Sequence, residues 1–182
     1  AADSIDPVLT RITGAGGQVI MPALQVGDFG GMAVTADPTG AVFGLWQSGT
    51  HTGFDLYDEP GSVVWSEGMV GDLEAARRFY GAVFGYTFEP VDEGTPYDTV
   101  LLDGRPVAGI GSIELAGPGI PPHWRTYFMV VDAAAACARV SELGGAVIAE
   151  PWPTPFGAMA AVSGPDREVF LFNEQAAGEP DS

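Results

Sequence analysis

Residues Gly144–Asn173 read GGAVIAEPWPTPFGAMAAVSGPDREVFLFN, and residues Gly16–Gln47 read GGQVIMPALQVGDFGGMAVTADPTGAVFGLWQ. The doublet Gly16-Gly17 matches Gly144-Gly145, and Val19-Ile20 matches Val147-Ile148. After one residue of slack in the loop, Gly30, Met32, Ala33, Pro38, Val42 and Phe43 match Gly157, Met159, Ala160, Pro165, Val169 and Phe170. A repeat this long implies two copies of one supersecondary unit, and the rest of the chain is read outward from it as modules that pair.

Upstream of the first copy, Asp3-Ser4 supplies an N-cap signal and Pro7 is tolerated in a first turn. Ile5, Val8, Leu9 and Ile12 recur at helical spacing until the glycines at 14–17. Strands are predicted at Gln18–Met21, Met32–Ala36 and Val42–Gln47, with Asp37-Pro38-Thr39-Gly40 as a tight turn. A second unit starts at Ser62. Its first strand, Ser62–Val70, leads to Asp72, which caps a helix carrying Leu73, Ala76, Phe79, Tyr80, Val83 and Phe84 on one stripe. Gly85 stops that helix, and strands follow at Tyr86–Val91, Tyr97–Leu102 and Pro106–Ile113. The third unit repeats the plan: strand Trp124–Val131, helix Ala133–Leu143, then strands Val147–Glu150, Met159–Val162 and Val169–Phe172. The first unit is the same pattern without its opening strand. The expected organisation is therefore a partial module at 1–47, a linker at 48–61, a complete two-module domain at 62–174 and a tail at 175–182.

Nearly half the residues are apolar, which allows a sizeable core, and no apolar run approaches the roughly eighteen residues of a membrane span. The formal net charge is -17, with seven Arg and no Lys. Such a surface repels nucleic-acid phosphates and acidic membranes. The single cysteine, Cys137, sits in an Ala-rich helical pattern and reads as a small buried hydrophobe. No basic, apolar leader opens the sequence, and the reading is of a cytoplasmic protein.

The phrases Val70-Gly71-Asp72-Leu73, Phe79-Tyr80, Phe84-Gly85, Ala36-Asp37-Pro38-Thr39-Gly40, Phe43-Gly44-Leu45-Trp46-Gln47 and Asp103-Gly104-Arg105-Pro106-Val107-Ala108-Gly109-Ile110 resemble the vicinal oxygen chelate superfamily, the glyoxalase / bleomycin-resistance / dioxygenase fold. They are most similar to its tandem-domain bacterial branch, often labelled glyoxalase-like or "hydroxylase". The resemblance implies an α+β fold of βαβββ modules, paired into a cupped mixed sheet with helices on the outer face. It also implies four modules in a tandem member. On that reading the chain is truncated at its N-terminus, and the incomplete first module exposes apolar surface and a sheet edge through which it self-associates. The alternative is a natural variant completed by a second chain.

Enzymes of this superfamily hold a divalent metal with His or Glu from the first strand of each module and Glu from the last. Carried over residue by residue, those positions hold Trp65 and Arg125 in the first strands and Gly44 and Leu171 in the last strands. The Arg105–Ile113 strand offers no carboxylate before Glu114. The expectation is no metal and no cofactor. Strand alternation turns Val64, Ser66, Gly68 and Val70 toward a helix and leaves Trp65, Glu67 and Met69 facing the cup. In the third module it leaves His123, Arg125, Tyr127 and Met129 inward. Trp65, Glu67, Arg125, Tyr127 and Met129 are thus the candidate ligand-binding residues, with Glu67 as a candidate general base. A Glu67–Arg125 ion pair amid core aromatics is the competing reading of the same residues. His51 and His123 read as surface residues.

Three functions fit. The first is a metal-independent binder of a small organic molecule, favoured as cationic by the acidic field and by Trp65 and Tyr127. The second is a metal-dependent lyase, isomerase or dioxygenase, by analogy of fold. The third is an interaction protein without a ligand.

Overall fold

A computed structural model describes residues 3–175 of the 182. The elements are α1 (Ile5–Gly14), β1 (Gln18–Val26), β2 (Gly30–Ala36), β3 (Val42–Ser48), β4 (Val63–Val70), α2 (Leu73–Phe84), β5 (Thr87–Pro90), β6 (Tyr97–Leu102), β7 (Arg105–Ser112), β8 (His123–Val130), α3 (Ala133–Glu142), β9 (Ala146–Thr154), β10 (Gly157–Ser163) and β11 (Val169–Glu174). From β4 onward the order β-α-β-β-β occurs twice, and the fold is α+β with mixed sheets. The expected tail lies outside the described residues apart from Gln175. Two compact units form: residues up to Phe54 with Glu67–Trp124, and Asp55–Ser66 with residues from Arg125 onward.

The repeated glycine doublet has a direct physical cause. Gly16 and Gly144 both take φ 88°, a left-handed turn out of the helix that glycine adopts without strain. At the next residue there is no room for a side chain. A Cβ on Gly17 would lie 2.7 Å from the Ala36 carbonyl oxygen and 2.8 Å from Ile12. A Cβ on Gly145 would lie 2.4 Å from the Ser163 carbonyl oxygen and 2.7 Å from Val140. Each helix therefore folds back onto its own sheet through a contact that only glycine permits.

β1 and β9 each run nine residues, beyond the expected ends at Met21 and Glu150. The added residues include Pro22 and Pro151. Both strands lie at the end of their strand order, where a proline's missing N–H leaves no central ladder bond unmade. The pairing register also shifts beside each proline, between Met21 and Leu24 and between Ala149 and Trp152, so bulges take up the distortion.

In the first unit, β1, β2 and β3 form an antiparallel sheet in that order. β5, β6 and β7 continue antiparallel, and Glu67–Val70 of β4 pair with β7 in parallel. Asp72 caps α2 by accepting a hydrogen bond from the Ala75 N–H at 2.9 Å, and Gly85 ends it at φ 76°. The stripe Ile5, Val8 and Ile12 of α1 is buried with Phe79, Tyr80 and Val83 of α2 in one core. Two polar features lie inside this unit. Arg77 on α2 grips the fully buried Asp98 of β6 with Nε and Nη2, each 2.6 Å from a carboxylate oxygen. Asp37, 1% exposed, accepts at Oδ1 from the Thr39 N–H, the Thr39 hydroxyl and the Ala41 N–H. Its Oδ2 accepts from the Tyr80 hydroxyl at 3.1 Å, which in turn accepts from the Trp124 indole N–H at 2.8 Å.

In the second unit the strand order is β8-β11-β10-β9, with β8 and β11 parallel and the others antiparallel. Asp132 caps α3 through the Ala135 N–H at 2.8 Å, and Glu174 on β11 accepts from the Ala133 N–H. Cys137, Ala160, Val162 and Phe172 form the core under α3, with Phe128, Val130 and Phe170 packed against it. Burial pushes the Cys137 thiol above its ordinary pKa, with the Glu150 charge adding to the effect, so it stays a neutral apolar group.

The two copies of the β2–β3 and β10–β11 turn differ at one strained position. Gly40 takes φ 100°, and its counterpart Arg167 takes φ 69° with a side chain present. Arg167→Gly should raise unfolding stability by about 0.5–1 kcal/mol by relieving the left-handed strain, as read from the urea midpoint at constant m-value. Alkaline pH supplies a second test. Burial, followed by the Asp37 charge, holds the Tyr80 phenol far above the usual tyrosine range, and burial raises Tyr86 as well. The raised folded-state pKa values mean that this stability is complete below the unfolded value near pH 10 and is lost as pH rises through it. Tyr80 should steepen the fall by about 1.4 kcal/mol per pH unit above roughly pH 10, and Tyr80→Phe should remove that share of the slope.

Candidate functional site

Each unit carries a β-sheet face turned away from its helices, and the candidates Glu67, Tyr127 and Met129 lie on these faces. In the first unit Val70, Val100, Ala108 and Ile110 pack with α2, so alternation places Glu67, Met69, Tyr97, Thr99, Gly109 and Gly111 on the other side. The strand registers align them in two rows, Thr99–Gly109–Glu67 and Tyr97–Gly111–Met69. The middle strand contributes only glycines. Across that gap the Tyr97 hydroxyl reaches from β6 to β4 and donates to Glu67 Oε2 at 2.9 Å. Glu67 is 5% exposed, and burial of a carboxylate demands such donors. A Cβ on Gly111 would lie 2.7 Å from the Tyr97 ring and 3.1 Å from the Met69 methyl, so the glycine is what lets the phenol lie flat over β7.

In the second unit Phe128, Val130, Phe170, Phe172, Ala160 and Val162 pack toward α3. The opposite face carries the rows Tyr127–Leu171–Ala161 and Met129–Asn173–Met159–Trp152. Arg125 lies two residues before Tyr127, and its guanidinium carbon stands 5.9 Å from the Tyr127 ring centroid, within reach of a weak cation–π contact. Gly61 and Ser62 hydrogen-bond the Met129 backbone on both its polar groups, which fixes the start of β4 in this unit. Of the five candidates, Trp65, Arg125, Tyr127 and Met129 belong to the second unit and Glu67 to the first. Tyr97 and Asn173 were not singled out from the sequence. Both sit at alternation positions on strands that carried no candidate, and Tyr97 acquires its role only through the glycines between it and Glu67.

Among the described residues no three His, Cys, Asp or Glu side chains gather. His51 lies against the Trp46 ring, with centroids 5.7 Å apart, and His123 Nδ1 is 2.8 Å from the Pro121 carbonyl oxygen. The donor set does not fit the divalent ion on which this fold's enzymes rely. A separate cavity of about 570 Å³ opens along the outer edge of β3, lined by Phe43, Trp46, Tyr80, Phe84, Tyr86 and Trp124 among others. β3 has β2 on one side and ends the strand order of its three-stranded sheet on the other. Val19, Ile20, Leu24, Phe29 and Val42 of this segment are exposed.

Comparison with known proteins follows the same lines. The model of the Glyoxalase/Bleomycin resistance protein/Dioxygenase superfamily matches residues 62–172. CFP32 of Mycobacterium tuberculosis, provisionally named a glyoxylase, is 39% identical over 171 residues, covering 93% of this chain and 66% of its own. The anthracycline biosynthesis protein DnrV of Streptomyces peucetius is 39% identical over 183 residues, covering 99% of this chain and 66% of its own. The chain thus spans just under two thirds of these relatives' length. A Mn(II)-bound glyoxalase from Novosphingobium aromaticivorans superposes with a TM-score of 0.62 at 14% identity, over 94% of this chain and 60% of that one, a likeness of fold.

Gly111→Ala should displace the Tyr97 ring and break its bond to Glu67, destabilising the protein by about 1–3 kcal/mol. Gly14→Ala is the control, because a Cβ there meets nothing within 4 Å. It should be neutral or stabilising, by at most about 1 kcal/mol. Equal losses from the two in chemical denaturation would show that the Gly111 contact is not special.

Proposed function

As the chain belongs to the glyoxalase / bleomycin resistance protein / dioxygenase superfamily, we propose that it binds a small organic molecule on the sheet face of its second unit, without a divalent metal holding the ligand. The observation that carries this reading is the composition of that face. Arg125, Tyr127 and Met129 succeed one another along β8, and the neighbouring row carries Met159 and Trp152. Thioether, indole and phenol surfaces suit a flat unsaturated ring system, and a guanidinium suits a carbonyl or acidic group on its rim. Trp65 adds a second indole from β4. The relative named for anthracycline biosynthesis supports a planar, oxygenated polycyclic compound as the ligand class. A net charge of -17 further favours one that carries a cationic substituent.

Glu67 stands apart from these groups in role. It belongs to the first unit, where the Tyr97 hydroxyl holds it, and a carboxylate so held is suited to abstract or return a proton.

Titration with 2,6-dihydroxyanthraquinone, a soluble stand-in for a planar oxygenated polycycle, tests the reading. Trp65→Ala should weaken binding by about 1–3 kcal/mol through lost aromatic contact. Treatment with EDTA should leave the Kd unchanged. Binding that collapses in EDTA and returns with Mn(II) or Ni(II) would overturn the metal-free part. Glu67→Gln should alter only the charge-dependent part of the affinity in a binder, and should cut turnover by roughly a hundredfold or more in an enzyme that uses Glu67 as its base.

A further inference from the structure

The second unit contains a buried acceptor that its own fold does not satisfy. Among the described residues, Asn173 Oδ1 is shielded from solvent and meets no hydrogen-bond donor. The orientation of the amide is set by its other end, because Nδ2 donates to the Phe156 carbonyl at 3.3 Å. Turning the amide over would set two carbonyl oxygens against each other. Asn173 is flanked in register by Met129 on β8 and Met159 on β10, and neither thioether can donate. It lies on the face opposite the α3 core, since its neighbour Phe172 packs into that core.

The other module sharpens the point. In matching parallel registers, Met69 stands beside Gly111 on β7 and Met129 stands beside Asn173 on β11. The chain therefore closes one of these positions with glycine and a tyrosine ring, and places an amide at the other. Buried acceptors left unmade cost stability, and in native proteins each needs a cause. Asn173 is also bracketed by groups suited to an aromatic plane, in the row Met129–Asn173–Met159–Trp152.

We infer that Asn173 is a ligand-binding residue whose Oδ1 accepts a hydrogen bond from a hydroxyl or N–H on the edge of a planar ligand lying along this row. The inference rests on the ligand reading above and adds its specificity: the face selects molecules that present a donor at that edge.

The test compares 2,6-dihydroxyanthraquinone with its dimethyl ether, 2,6-dimethoxyanthraquinone, which keeps the ring system and removes the donors. The wild-type protein should bind the dihydroxy compound about tenfold more tightly, as one buried hydrogen bond implies. Asn173→Leu, close to isosteric, should bring the two affinities within about twofold, and Asn173→Asp, which retains an acceptor, should restore the preference. A wild-type protein that binds both compounds alike, or an Asn173→Leu variant that keeps the preference, would overturn the role of Asn173 and leave the ligand reading standing. Failure of the wild type to bind either compound would overturn both. Thermal unfolding without ligand gives an independent check. Asn173→Leu should melt within a degree or two of wild type, because the gain from removing an unsatisfied acceptor offsets the loss of the long 3.3 Å bond to Phe156. A fall of several degrees would make the amide structural and sink the proposal.

Discussion

The folded chain depends on a close approach that only glycine allows. Gly17 and Gly145 bring the end of a helix against the carbonyl that closes a strand, with no space for a Cβ at either. Gly16 and Gly144 turn the chain into that contact with the same left-handed φ. Once the helix is pinned there, its apolar stripe can reach only one face of its sheet. Ile5, Val8 and Ile12 in one copy and Cys137 in the other are buried as a consequence. The strand pleat then decides the rest, since alternate residues must point to the face the helix does not cover.

That division explains where the modules agree and where they diverge. On the helix-covered faces, packing leaves few options, and the copies share Ala33 with Ala160 and Phe43 with Phe170. On the opposite faces nothing within the module prescribes the residue. Gly109 and Gly111 in one module stand where Leu171 and Asn173 stand in the other, and Glu67 stands where Tyr127 stands. The first unit uses its glycine gap to bridge Tyr97 to Glu67, whereas the second fills the gap with a side chain. The modules diverge on the surfaces from which the packing constraint is lifted.

The same division governs what could be read from the sequence. Asp72 and Asp132 as caps, Gly85 as a stop and the doubled glycines are local signals, and they fixed the order of elements within a few residues. That β1 and β9 continue through Pro22 and Pro151 is not a local signal, because proline's penalty depends on whether a strand is central or terminal, which is a tertiary fact. Alternation assigned Glu67, Tyr127 and Met129 to the correct side of their strands. It could not reveal Tyr97 as the partner of Glu67, because that bond spans two strand spacings and exists only because a third strand is glycine there. Asn173 escaped attention for a related reason. A single amide in an apolar strand has no motif, and it becomes conspicuous only once its neighbours are known to be two thioethers.

On the proposed reading, a face without convergent carboxylates among its described residues must recognise its ligand by other means. A divalent ion supplies several strong, directional bonds to one ligand atom, so a metal site can tolerate an indifferent surround. Without that set, affinity has to come from apolar contact, which is large but weakly directional, and orientation has to come from a few buried polar atoms. In the proposed binding mode the contact surface on the second unit's face is Met129, Met159, Trp152 and Tyr127, and the directional atoms are those of Arg125 and Asn173. On that proposal a donor meeting Asn173 Oδ1 gains more than it would on an exposed surface, because the acceptor is already shielded from water. On the proposed reading, the cost borne by the unliganded fold becomes the source of discrimination in the liganded one.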